Sequence, residues 1–492
     1  MAKKRGHRRD PLGILLAALL VILPIAIFYT IITYAGPSWD IIARYLNGRT
    51  FDSFLTHGIS AQAAFLGEFT NNALYYFEPY REPLSTPIFA ILTPLFHNPI
   101  LPYIIVVYAL YLLSARVLFK ELKIDWLIGL AGITNTFLVF FLFVPNGGEG
   151  LAAIFIFLGL AFLLRKSPLS GLFFGLAGIA KYPALILLPL VLFLKDKKLI
   201  ALAILLELLP VLAWGLIDYA VYGVPFYSYS QSISDSNTAA MPTGVYASSV
   251  VGVIAFPLAF TAAAALFFAA KRCRFRLRLD YAQKVLIAFV ALSGLGYAAI
   301  LPHNDPVTQM RYGFLFSLAL LVAAVVLLCR ATKDMWWPRY AVAAAMSVAL
   351  LASLFYTYST SNTVPVAYYN PDFNASIYSH AYSELAGLGF AGCRFVSNAW
   401  VPMVYAGYDA YSPFIAYGNG ALTPIAERLL NSSGNGVNYT DYLKEELSYP
   451  IVVFAHIGVP ESEILNLNSS RLAYSDANMS IYLPTDAGCY RD

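Results

Sequence analysis

The chain has 492 residues, 59% of them hydrophobic and only 12% charged, with a formal net charge of +4. Because soluble domains are roughly 25% charged, this composition excludes an ordinary soluble protein and predicts a polytopic α-helical membrane protein. The basic residues stand in short runs beside apolar segments, as membrane topology requires, so the charge gives no support to a nucleic-acid partner.

The first predicted membrane span covers residues 11–35, after the basic stretch Lys3-Lys4-Arg5-Gly6-His7-Arg8-Arg9. This apolar run is too long for the hydrophobic region of a signal peptide. We interpret it as a retained span whose N-terminus lies in the cytoplasm. Residues 36–84 then form the first extracytoplasmic loop, and residues 85–97, apolar but too short to span, form a partly embedded helix.

Basic flanks set the direction of the later spans. Residues 168–194 are apolar with basic residues at both ends, which predicts a re-entrant hairpin of two half-helices with Lys181 at the break. The whole pattern predicts about 11 membrane helices within a domain of residues 1–359. The other expected spans lie near 100–119, 126–144, 151–165, 199–222, 248–270, 281–301, 312–329 and 340–358.

After residue 360 the composition becomes polar, and short β-rich runs alternate with helix-like segments, which predicts an extracytoplasmic α/β domain over residues 360–492. Cys393 and Cys489 both lie in it, and an oxidising compartment permits the disulfide that we predict between them, although two unrelated thiols are the alternative. Every Asn-x-Ser/Thr sequon of the chain falls in this domain: Asn374, Asn431, Asn438, Asn468 and Asn478.

Asp40 is the candidate catalytic residue, because it follows Trp39 at the outer end of the first span. A carboxylate held against an acceptor hydroxyl can act as its general base. The plainer explanation is an N-cap for a helix that begins at Ile41.

Charged residues in two loops are candidates for binding the substrate or donor. Glu78, Arg81 and Glu82 surround a proline at the exit of the first loop, where a solvated charged turn is the alternative. Asn146 and Glu149 occupy a short turn between two predicted spans. A glutamate there could also serve only to complement a helix N-terminus.

Two cations are candidates for neutralising a lipid phosphate. Lys181 lies in an apolar segment, where an ionisable residue is a functional-site hypothesis by default; snorkelling or a structural ion pair is the alternative. Arg311 opens a later span and could bind phosphate through its forked donors, or anchor the membrane interface together with Tyr312. The cysteines and histidines lack metal-site spacing, so no metal and no other cofactor is expected.

Five motifs occur in order along residues 11–330: Asp40-Ile-Ile-Ala-Arg-Tyr-Leu-Asn-Gly-Arg49, Arg81-Glu-Pro-Leu followed by Leu92-Thr-Pro, Asn146-Gly-Gly-Glu-Gly150, Gly175-Leu-Ala-Gly-Ile-Ala-Lys-Tyr-Pro183 and Gln309-Met-Arg-Tyr312. In this order and placement they resemble the C-type membrane glycosyltransferases, which use a polyprenyl-phosphate sugar. Within that group they are similar to the catalytic subunit family of glycosylphosphatidylinositol mannosyltransferase I.

The resemblance implies an inverting enzyme on the extracytoplasmic face. It would move a monosaccharide, mannose in that subgroup, from a dolichyl- or polyprenyl-phosphate donor to a hydroxyl of a glycan or glycolipid. Asp40 would deprotonate the acceptor, and Lys181, Arg311 and Arg81 would balance the charge of the phosphate leaving group.

Two other classes of function stay open at this stage. A transporter or flippase for a lipid-linked or small solute would also explain a broken helix, since such helices build transporter sites. An inactive scaffold whose external domain binds partners is the third. The expected location is the plasma membrane of an archaeon or the endoplasmic reticulum of a eukaryote.

Overall fold

The helices of the membrane part run from residue 11 to residue 360 in a computed structural model. The structure describes residues 10–35, 37, 41, 42, 44, 45, 48, 84–96, 99–135, 148–222, 224–226, 229, 280–300, 313–332, 335, 337–360, 375–405, 407, 408, 410, 411, 448–455 and 470–489. The helices are α1 (Pro11–Thr30) with a π-helical turn (Ile31–Ala35), α2 (Ser85–Leu92), α3 (Ile100–Leu122), α4 (Trp126–Ile133), α5 (Gly148–Leu164), α6 (Leu169–Ala180), a 3₁₀ helix (Tyr182–Phe193), α7 (Lys197–Tyr222), α8 (Tyr281–Ile300), α9 (Phe314–Ala331) and α10 (Pro338–Thr360).

Six of the described helices, α1, α3, α7, α8, α9 and α10, are long and apolar enough to cross a membrane, and the chain is an integral membrane protein. They coincide with six of the spans predicted from hydropathy. The span predicted at 151–165 forms the shorter helix α5, which begins at Gly148. The predicted span at 248–270 lies outside the described residues, so the total of about 11 helices stays a prediction.

The predicted hairpin segment breaks at Lys181, whose backbone is extended (φ −156°, ψ 110°) between α6 and the 3₁₀ helix. Proline explains the break, because Pro183 lacks an N–H and its ring clashes with the carbonyl four residues earlier. A second proline, Pro189, lies inside the following segment, which is a 3₁₀ helix instead of the expected α-helical half. Whether the segment re-enters the membrane stays a prediction.

Helices α6 and α7 pack at backbone contact through two glycines. A Cβ placed on Gly171 would lie 1.9 Å from the carbonyl oxygen of Ala203, and one on Gly175 would lie 2.2 Å from that of Glu207. Small residues spaced four apart permit such close approach between membrane helices. This contact fixes α6, and therefore the break that follows it, against the rest of the bundle.

Gly171→Ala is expected to lower the free energy of unfolding by about 1–3 kcal/mol, because the new methyl group meets a backbone oxygen that cannot move aside. Thermal unfolding in detergent measures the effect. Gly387→Ala is the matched control, since a Cβ there meets nothing within 4 Å. Equal stability of the two variants would contradict the close packing.

The C-terminal part contains a mixed sheet with strand order β2-β1-β3-β5-β4, in which β2, β1 and β3 are parallel and β5 and β4 are antiparallel additions. The predicted disulfide is confirmed: Cys393 and Cys489 are bonded, with 5.0 Å between their Cα atoms. The elements are α11 (Ala375–Gly387), β1 (Phe395–Ser397), α12 (Trp400–Tyr405), β2 (Ala410–Tyr411), β3 (Ile451–Phe454), β4 (Ser470–Ser475) and β5 (Met479–Pro484).

Ion pairs join helix ends where α1 and α10 begin. Arg339 contacts the carboxylates of Asp10 (3.2 Å) and Asp125 (3.8 Å), which are the N-caps of α1 and α4. The hydroxyl of Tyr340 donates to Asp10, and together with the N–H of Gly13 it holds the pKa of Asp10 below its ordinary value. These half-buried groups mark the end of α1 opposite to the one that leads toward Arg44.

Candidate active site

Arg44 is a fully buried arginine in the short helical stretch that follows the first span. Its side chain is 1% exposed, and its neighbours Ile41 and Ile42 are buried as well. Nη1 of Arg44 donates a hydrogen bond of 2.8 Å to Oγ of Ser85, the first residue of α2. Because a buried charge is costly without partners, this position is built to hold the guanidinium in place.

The guanidinium of Arg44 lies beside the start of α5, which the end of α6 also approaches. A Cβ placed on Gly148 would stand 3.0 Å from Nη2 of Arg44 and 3.0 Å from the carbonyl oxygen of Ala180. A larger residue at position 148 would therefore press on the arginine. Both distances are shorter than an ordinary van der Waals contact, which favours glycine at this first residue of α5.

Glu149 and Lys181, the residues next to Gly148 and Ala180, form a buried ion pair. The distance from Nζ of Lys181 to Oε1 of Glu149 is 3.1 Å, and the two side chains are 2% and 1% exposed. The short turn predicted around Glu149 ends earlier than expected, because α5 begins at Gly148. Glu149 belongs to the first turn of α5 and is buried, which agrees with the alternative that it complements a helix N-terminus. Its contact with substrate stays a prediction.

We call Arg44, Ser85, Glu149 and Lys181 the charged cluster. Its three ionic side chains carry two positive charges and one negative charge. The N-terminus of α5 adds the positive end of a helix dipole, and helix N-termini are favourable places for anions. The cluster can therefore hold an anionic group such as a phosphate. No group of three metal-ligating side chains is found in the described residues.

Aromatic contacts fix the stretch that carries Arg44. The ring of Tyr45 lies 6.1 Å from that of Phe89 in α2 and 6.2 Å from that of Tyr405 in α12. Phe89 in turn stacks on Tyr103 of α3 at 4.1 Å. Tyr45, the residue beside Arg44, thus contacts both α2 and the C-terminal part of the chain.

An apolar groove of about 650 Å³ lies between α1, α3 and α10. It is lined by the last turns of α1, the first turns of α3 and the last turns of α10, which include Tyr29, Leu101 and Tyr358. Tyr103, which supports α2, is two residues from Leu101. The groove therefore opens at the end of α3 that also packs against α2.

Of the predicted site residues, the structure brings Glu149 and Lys181 together. The remaining candidates lie outside the described residues and stay predictions: Asp40, Glu78, Arg81, Glu82, Asn146, Arg311 and Tyr312.

Arg44 and Ser85 were not among the predicted site residues. Arg44 stands inside the first motif, four positions after Asp40, the spacing that brings two side chains to one face of a helix. That spacing, together with a charge in an otherwise apolar stretch, was the available signal. Ser85 carried no such signal, because serine is an ordinary residue at the start of a helix.

Neither a protein-family model nor a curated protein matches the chain significantly. Among solved structures, the crystal structure of ArnT from Cupriavidus metallidurans bound to undecaprenyl phosphate matches with a TM-score of 0.57 and 13% sequence identity. The match covers 97% of this chain and 99% of that chain. The chain therefore has the C-type membrane glycosyltransferase fold, similar to that of ArnT.

Proposed function

We propose that the chain is an integral-membrane glycosyltransferase that moves a monosaccharide from a polyprenyl-phosphate donor to an acceptor hydroxyl. The observation that carries the proposal is the charged cluster, in which two buried cations, Arg44 and Lys181, lie near the N-terminus of α5. Buried cations beside a helix N-terminus favour an anionic ligand, and a lipid phosphate is such an anion. The ArnT structure, bound to undecaprenyl phosphate, supports the same class of ligand.

The reaction is a single displacement with inversion. The acceptor oxygen attacks the anomeric carbon, the bond from that carbon to the phosphate oxygen breaks, and polyprenyl phosphate leaves with the electron pair. Asp40 takes the proton of the acceptor hydroxyl as general base. A phosphate leaving group needs no general acid, but fixed donors that face its developing charge accelerate departure, and Arg44 and Lys181 have that role.

The donor lipid is a dolichyl or other polyprenyl phosphate, and the sugar is a hexose, with mannose as the first candidate from the sequence resemblance. The acceptor is a glycan or glycolipid hydroxyl. In this proposal the apolar groove of about 650 Å³ between α1, α3 and α10 receives part of the donor's hydrocarbon chain, and each buried CH₂ contributes about 0.8 kcal/mol. The remaining contacts to donor and acceptor come from Glu78, Arg81, Glu82, Asn146, Arg311 and Tyr312.

The site and the C-terminal domain of residues 360–492 face the extracytoplasmic side in this proposal. Support comes from the disulfide between Cys393 and Cys489, because such bonds persist in oxidising compartments. Further support comes from the basic residues near 165 and 195–198, which suit the cytoplasmic ends of helices.

The proposal is tested by incubating membranes that contain the protein with a labelled polyprenyl-phosphate sugar. Wild type is expected to transfer the label to an acceptor, and Asp40→Asn to lower the rate about 100-fold. Asp196→Asn is the matched control, because Asp196 is exposed and caps the first turn of α7. Full activity in Asp40→Asn would remove Asp40 as the base. Movement of intact donor across vesicles without transfer would favour a flippase.

A further inference from the structure

The turn between β4 and β5 contains the sequon Asn478-Met479-Ser480. Oδ1 of Asp476 accepts the N–H groups of Asn478 (2.7 Å) and Met479 (2.8 Å), which closes the turn. The carbonyl oxygen of Asn478 accepts the N–H of Ala455 at 2.9 Å. The backbone of Asn478 is therefore fully engaged in holding the hairpin against β3.

The side chain of Asn478, in contrast to its backbone, does not help to hold the hairpin together. It is exposed, and its amide makes no hydrogen bond to any of the residues that the structure describes. The hydroxyl of Ser480, two positions on, lies 3.0 Å from that of Ser475 across the hairpin. A bulky group on the nitrogen of Asn478 would extend into solvent without displacing a neighbour.

All sequons of the chain lie after residue 360. Five of the eleven asparagines after residue 360 stand in sequons, and none of the eight before it does. The same region contains the disulfide between Cys393 and Cys489. Glycosylation acceptors belong on exported surface, and disulfides persist in the oxidising compartments that exported domains reach, so two independent features point to the same environment.

We propose that Asn478 carries an N-linked glycan. A separate oligosaccharyltransferase supplies the glycan from a polyprenyl-diphosphate-linked oligosaccharide. The amide nitrogen bonds to the anomeric carbon and loses a proton, and the bond from that carbon to the phosphate oxygen breaks, with the electron pair leaving on the lipid diphosphate. This site goes beyond the proposed glycosyltransferase reaction and does not depend on it.

The glycan would protect one edge of the sheet. Strand β4 is an edge strand of the sheet that the structure describes, and its Leu472 is 52% exposed. Edge strands with exposed apolar residues invite pairing with other chains. A glycan at Asn478, in the adjoining turn, hinders the approach of a second strand.

Peptide mass spectrometry of the protein purified from its native membranes tests the site. Trypsin cleaves after Arg471 and Arg491 and releases residues 472–491, a peptide with a single sequon. After reduction, the wild-type peptide is expected to carry a glycan that yields sugar fragment ions and is attached to Asn478. Ser480→Thr keeps the sequon and the glycan, whereas Ser480→Ala and Asn478→Gln lose both.

The bridge between Cys393 and Cys489, present in unreduced samples of each variant, shows that loss of the glycan does not come from misfolding. A wild-type peptide found only at its unmodified mass would overturn the proposal. So would a glycan confined to the other sequons, or one that persists on this peptide in Asn478→Gln. If a variant does not accumulate, the wild-type peptide alone decides.

Discussion

Lys181→Met is expected to lower the transfer rate by on the order of 10³-fold and to destabilise the protein. The loss of rate follows from removing one fixed donor that faces the leaving phosphate. The loss of stability has a different cause, because Glu149 is left as a buried charge without its ion-pair partner at 3.1 Å. Breaking such a pair costs about 3–5 kcal/mol. Transfer assays and thermal unfolding in detergent measure the two effects separately.

The double variant Lys181→Met with Glu149→Gln separates the structural role from the catalytic one. With both charges removed, most of the stability is expected to return, while transfer stays low because no cation has been restored. Lys198→Met is the control, since Lys198 is exposed at the start of α7. Recovery of transfer in the double variant would show that the pair is only structural and would remove Lys181 from the reaction.

Arg44→Gln is expected to reduce transfer by about 10²- to 10³-fold and to weaken the binding of polyprenyl phosphate. Nη1 of the guanidinium donates a hydrogen bond to Ser85, and Nη2 lies beside Gly148. The same group therefore contacts the start of α2 and the start of α5. Arg44→Lys is expected to recover only part of the activity, because an ammonium group cannot reproduce a planar fork with two separate donors. Titration with polyprenyl phosphate alone measures binding without turnover.

Arg165→Gln provides the matched control for Arg44→Gln. Arg165 pairs with Glu121 at 2.8 Å, but its side chain is 39% exposed, and such surface pairs contribute about 0–1 kcal/mol. Its replacement is expected to leave transfer and binding unchanged. If a folded Arg44→Gln protein binds polyprenyl phosphate as tightly as wild type, Arg44 has no role in donor recognition and the charged cluster must be assigned to structure alone.

The membrane helices were predictable because their signal is local. A run of about 20 apolar residues must cross the bilayer as a helix, since its backbone groups find no other partners there. Hydropathy therefore located α1, α3 and α7 to α10 within a few residues. The cysteine pairing was predictable because Cys393 and Cys489 are the two cysteines after residue 360, in the part of the chain that was expected to reach an oxidising compartment.

The candidate site was predictable only in part. Lys181 stood out as an ionic residue in an apolar segment and Glu149 as a charge in a short turn, but each was interpreted as a separate contact to substrate or donor. Their pairing depends on α5 and α6 lying side by side, and no pattern within either segment encodes that. Arg44 and Ser85 were not predicted as site residues for the same reason, since their hydrogen bond joins a short stretch after α1 to the start of α2.

The sequence by itself determined that this is a membrane protein with a polar C-terminal part, a helix broken at Lys181, and charges that apolar surroundings make costly. These properties follow from hydrophobicity, proline chemistry and the cost of burying charge, all of which act over a few residues. Only the tertiary structure decided which charges meet. Close packing brings Arg44 to Gly148 and Lys181 to Glu149, because separate helices must share one buried space and satisfy each other's polar groups within it.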